Sequence, residues 1–163
     1  MTDLADPAEL ELESEAQALL NQAMTGYRQD PHRGDFLLEY ACTQAADPLP
    51  LYRAIIKFYN RQRRFDQAQD FAARSLAEAA RQCGLPPDAA LWQRNLLPAW
   101  NTPQASQALL ALKAMAFIAL RRNHPVVANQ YLAILNALDS EDGSGASVLS
   151  ALVESLDGDG QPP

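Results

Sequence analysis

Arg53, Lys57, Asn60 and Arg61 fall at i, i+4, i+7 and i+8, so a helix running through them turns all four to one side. Three cations grouped in this way can hold carboxylates, because charged N–H donors make the stronger hydrogen bonds to ionised oxygen. The same spacing also describes a plain solvated face, with long stems lying over the core and charged heads in water. The elements that carry these residues decide what stands opposite the heads.

Catalysis finds little material elsewhere in the chain. His32 sits in a turn after Pro31 and His124 precedes Pro125 as a helix cap, and neither has a nucleophile or carboxylate at a telling spacing. There is no Gly-rich phosphate loop, no H-E-x-x-H and no nucleophile elbow. Glu9, Glu11, Glu13 and Glu15 alternate, which spreads them round a helix instead of gathering them on a metal; they suit early turns, where the dipole favours negative charge. Cys42 and Cys83 lie in separate segments without a C-x-x-C pair, and they read as small buried thiols. No metal or cofactor is expected, and the chain is predicted to be non-enzymatic.

Charge is strongly partitioned. Residues 1–27 hold six acids and no Lys or Arg, as do residues 123–163. All 13 basic residues therefore fall in 28–122, against eight acids there, so a middle of +5 lies between two ends of −6 and the sum is −7. Acidic ends oppose a phosphate backbone, and a nucleic-acid partner is not expected. The sequence has no run of about 18 uncharged apolar residues, and its first dozen residues are acidic where a signal peptide is basic. A soluble, cytoplasmic protein with no membrane partner is the expectation.

The elements read as helices throughout. Asp6-Pro7-Ala8-Glu9 is a helix start, and Leu12, Ala16, Leu19, Leu20, Ala23 and Tyr27 follow at helical spacing until Pro31. Asp35 is predicted to cap a shorter helix through Phe36, Leu37, Tyr40 and Ala41, ending near Asp47-Pro48. Pro50 fits the first turn of a helix striped by Tyr52, Ile55, Ile56 and Tyr59; Asp66 can cap its partner, which runs to Gly84 as a left-handed stop. After Leu85-Pro86-Pro87-Asp88 a short helix is predicted over 89–97, carrying Leu91, Trp92, Leu96 and Leu97 and ended by Pro98. Thr102-Pro103 restarts a helix with Leu109, Leu112, Met115, Ala116 and Ala119, and Asn123-His124-Pro125 turns into a last stripe of Ala128, Tyr131, Leu132 and Leu135. Residues 140–145 have linker composition, and Val148, Leu149, Leu152, Val153 and Leu156 return to helical spacing beyond it.

Tyr52, Ile55, Tyr59 and Ala68, with Phe65 just before the second helix, occur in the order that marks the tetratricopeptide-repeat family, which this chain resembles in degenerate form. Leu112, Met115 and Ala128 fit again in the later hairpin, with Ala116 as its small residue. Departures are Ile56 for a small residue, Ala119 for an aromatic, Pro125 for a large ring and Arg63 for the turn glycine. Ala68 and Ala128 stand 60 apart where the family repeats at 34, so an insertion bearing Trp92 and Trp100 interrupts the array. Tyr27 precedes Tyr59 by 32, close to one period, with Phe36 in the place of the family alanine.

The resemblance implies an all-α fold of antiparallel hairpins stacked as a short solenoid, with an inserted helix and a C-terminal capping helix. It places residues 6–139 in the helical domain, between an acidic disordered stretch 1–5 and a linker 140–145. A cap or displaceable lid over 146–157 and a disordered tail 158–163 follow. The first helix of each hairpin would line a groove, where Lys113 and Arg121 join Arg53, Lys57, Asn60 and Arg61. An acidic peptide or partner helix is the implied ligand, held by an adaptor or dedicated chaperone. Family members that clamp a terminal carboxylate pair Lys with Asn; Arg53 and Lys57 take the first such places, but the asparagines do not recur. Chaperones for bacterial type III secretion translocators are similar in size, acidity and architecture. The other reading is a structural or assembly subunit that meets its partner through the Trp-bearing insertion.

Overall fold

The structure, a computed structural model, describes residues 7–138, with side chains from residue 15 onward. Every regular element in that span is helical: α1 (Pro7–Thr25), α2 (Pro31–Gln44), α3 (Leu49–Arg61), α4 (Phe65–Cys83), α5 (Pro103–Arg121) and α6 (Pro125–Leu138). They pair in sequence as three antiparallel hairpins, and α4 packs as extensively on α5 as on its own partner α3. One core runs through the stack, from Leu20 and Tyr27 past Ile55, Phe71 and Leu112 to Leu135 and Leu138.

Two hairpins turn on the same backbone device. The Arg64 N–H donates to the Tyr59 carbonyl (2.9 Å) and Arg63 to Asn60 (3.1 Å); sixty residues on, His124 donates to Ala119 (2.7 Å) and Asn123 to Leu120 (2.9 Å). Both are Schellman closures, which need a left-handed residue past the helix end. Arg63 (φ 59°) and Asn123 (φ 61°) supply it, and Gly84 (φ 70°) does the same after α4. Asn tolerates that region, but an arginine there sits where glycine costs less.

The first hairpin corrects the sequence reading in two places. Pro31 does not merely stop α1; it opens α2, whose cap is the Asp30 carboxylate accepting from the Arg33 N–H at 3.1 Å. Asp35 therefore lies inside the helix, four residues past its start. The small residue where the two helices meet is Gly34, not Phe36, which is 65% exposed. Gly34, Ala68 and Ala128 each take the fourth position of α2, α4 and α6, and all three are buried. Asp66 likewise does not cap α4: it stands in the first turn, and its carboxylate meets Arg122 at 2.6 Å, tying the end of α5 to the start of α4.

The predicted insertion helix over 89–97 is replaced by two single 3-10 turns, Ala89–Leu91 and Arg94–Leu96. Asp88 caps the first by accepting from the Ala90 N–H, and the backbone between and after the turns is extended. The extended backbone at Trp92, Gln93 and Leu97 breaks the stretch into single turns and lets the Trp92 and Trp100 indoles donate to backbone carbonyls. The expected start at Asp6, the stretch 1–5, the linker 140–145, the helix over 146–157 and the tail 158–163 lie outside the described residues.

Candidate functional site

All six residues singled out for binding stand on α3 and α5, the first helices of neighbouring hairpins, and these two helices touch along a short length. Lys57 and Arg61 are exposed and Arg53 is half-buried beside them. The opposite side of α3 is the buried one, with Ile55, Phe58 and Tyr59 turned into the core. Asn60 sits at the border. Its Oδ1 is buried and accepts no hydrogen bond from the described residues, a state that costs roughly 1–3 kcal/mol for a neutral acceptor.

On α5, Lys113 is half-buried, and the Arg121 guanidinium lies over two rings, 5.2 Å from the Phe65 centroid and 5.8 Å from that of Phe117. Arg63 approaches Phe65 as well, at 5.9 Å. Arg121 is thus held in place by stacking. Near the start of α3, Pro50, Leu51 and Ala54 join Gln17 and Leu20 of α1 around a cleft of about 400 Å³.

Charge pairing sets the potential of this face. Each of the eight acids in 28–122 is already engaged: Glu39 and Asp70 with Arg74, Glu78 with Arg81, and Asp66 with Arg122. Asp30, Asp47 and Asp88 accept from backbone N–H groups, and Asp35 accepts from two phenols. Arg53, Lys57 and Arg61 have no ion-pair partner among the described residues. Glu39, Asp70, Glu78 and Asp66 pair with Arg74, Arg81 and Arg122, and none of the eight reaches the cations of α3, which leaves that face positive.

Sequence reasoning missed the polar lock between the first two hairpins. One oxygen of Asp35 accepts from Tyr27 at 2.8 Å and from Tyr59 at 2.6 Å, joining the turn after α1, the middle of α2 and the end of α3. Burial, reinforced by that carboxylate, pushes the Tyr27 phenol up to about 12 and the Tyr59 phenol further still. A second tie joins α2 to α4, where Arg74 grips Glu39 with both terminal nitrogens, at 2.7 and 3.0 Å, and lies over Phe71. Only the spacing of Tyr27 and Tyr59 hinted at these contacts.

The insertion's tryptophans turn inward. Trp92 and Trp100 are buried 6.3 Å apart, donating from Nε1 to the carbonyls of Pro86 and Arg94. Burial pushes the Cys42 thiol up to about 11 and also raises Cys83. No group of three His, Cys, Asp or Glu side chains among the described residues is placed to hold a metal. The chain matches no known protein family, no curated protein and no solved structure.

Proposed function

We propose that the protein is a non-enzymatic binding module of tetratricopeptide-like build, an adaptor or dedicated chaperone that holds an acidic peptide or partner helix against the cationic side of α3 and α5. The observation that carries this reading is the asymmetry of charge pairing: every acid of the body is engaged internally while half-buried Arg53 and exposed Lys57 and Arg61 have no carboxylate partner among the described residues.

Fluorescence anisotropy with a labelled Glu-rich peptide tests it. Reversing charge in R53E/K57E/R61E should weaken binding about tenfold or more, given exposed pairs of at most ~1 kcal/mol each and the repulsion that replaces them. Affinity should also fall as salt rises. Binding that ignores both the reversal and the salt refutes the reading.

A second reading is an assembly subunit that meets its partner through the insertion. It draws support from Leu91 and Leu96, 60% and 43% exposed on the two 3-10 turns. With both tryptophans inward, those leucines are the contact such a subunit would use. L91D/L96D then abolishes incorporation into the complex and leaves peptide binding intact.

A further inference from the structure

α5 is apolar nearly all the way round. Its mean hydropathy reaches 1.2 over 18 residues, enough by length and composition alone for a membrane span, yet only half of that stretch is buried in the fold. A helix of this kind needs cover on every side. α4 and α6 pack against it, and Ala108, Leu112, Met115 and Ala119 are buried. Leu110, Lys113, Ala114, Phe117 and Arg121 follow at i, i+3, i+4, i+7 and i+11 along the remaining arc, and all five are half-buried. α3 reaches α5 over too short a length to complete the cover. The arc mixes apolar side chains with cations.

We propose that this arc receives the chain's own residues 146–156, and that a partner must displace them to reach the cationic face. The inference rests on the binding role argued above and adds its regulation. The chemistry of the segment is complementary: Val148, Leu149, Leu152, Val153 and Leu156 recur at helical spacing, Glu154, Asp157 and Asp159 accompany them, and no Lys or Arg follows Arg122. The tether suffices. Residues 139–145 span up to about 25 Å when extended, against about 21 Å for the length of a 14-residue helix such as α6, so the chain can turn back along α5. A tether this short also gives an effective concentration on the order of millimolar.

The competing apolar cleft, about 790 Å³ between α4 and α6, suits this occupant poorly. Among the described residues lining it Asp88 is the only charged one, so an acidic segment would be repelled there and attracted to Lys113, Arg121 and Arg53.

Photo-crosslinking in the full chain tests the contact. Benzoylphenylalanine at Phe117, or at Leu110 if the first variant loses its helical circular dichroism, should form an intramolecular adduct with the peptide containing 146–156. L149D/L152D/L156D should abolish that adduct. Adducts between two copies only, or none beyond residue 138, overturn the proposal. So does recruitment to phosphatidylcholine vesicles in place of the adduct. In a parallel titration, a labelled peptide copying residues 139–159 should bind L149D/L152D/L156D about tenfold more tightly than the native chain. Equal affinity overturns the proposal too. The Glu-rich peptide keeps the two claims separate: if it binds through Arg53 and Lys57 while no tail adduct forms, only the tail contact falls. If both signals are absent, the cationic face falls with it.

Discussion

Replacing Gly34 by alanine tests the close approach in the first hairpin, because two effects of opposite sign meet there. Helix propensity alone favours Ala over Gly by ~1 kcal/mol inside a helix. A Cβ at this position, however, would stand 2.5 Å from Tyr27 Cδ1, 3.1 Å from Cε1 and 3.4 Å from the Ala23 carbonyl oxygen. The ring cannot simply step aside. Its hydroxyl donates to Asp35, its edges meet Phe58 at 5.0 Å and Tyr59 at 6.2 Å, and Arg64 lies over its face at 5.3 Å. Overpacking a held site costs about 1–3 kcal/mol, and a weakened phenol–carboxylate bond adds ~1 kcal/mol. The net expectation is a loss of about 1–3 kcal/mol, read as a lower urea midpoint by circular dichroism at unchanged slope. Gly26→Ala is the control, since its nearest new neighbour would be the Gln22 carbonyl at 3.5 Å and it should leave the midpoint near native. A G34A protein as stable as the native one, or more so, refutes the packing argument.

Arg63→Gly should raise stability by about 0.5–1 kcal/mol in the same assay, because a left-handed arginine is strained, while R63V should lower it. Asp35→Ala should cost about 2–4 kcal/mol by removing the acceptor of two phenols. The Tyr27 phenol, held protonated up to about 12 in the fold against an ordinary 10.0, contributes stability that is intact below pH 10 and lost as pH climbs toward 12. Absorbance at 295 nm should show this late ionisation and, in D35A, an earlier one. Cys42, pushed to about 11 from 9.0, should react with an aromatic disulfide at pH 8 at least ~10-fold more slowly in the native protein than in urea, because its thiolate is scarce.

The middle of the chain was legible in the sequence because local signals agree there. The Tyr52, Ile55, Tyr59 stripe, the small residue Ala68 and the left-handed Gly84 each point to one hairpin, and α3 and α4 follow them. The first hairpin was less legible, since Asp30 and Asp35 both stand where a cap could start a helix. What separates them is tertiary: Asp35 is claimed by Tyr27 and by Tyr59, 24 residues away. The insertion misled only in its local structure: apolar spacing over 89–97 suggests one helix where two 3-10 turns form, while Trp92 and Trp100 fill the core beside them. In the candidate site, helical spacing placed Arg53, Lys57 and Arg61 on one side of α3. The stacking of Arg121 on Phe65 joins α5 to α4, and no local pattern encodes it.

Binding of the Glu-rich peptide to R53E/K57E, measured beside the native protein at low and high salt, tests the cationic face most directly. The reversal should raise the dissociation constant about tenfold, and native affinity should weaken with salt. Equal constants for the two proteins at low salt would contradict that reading.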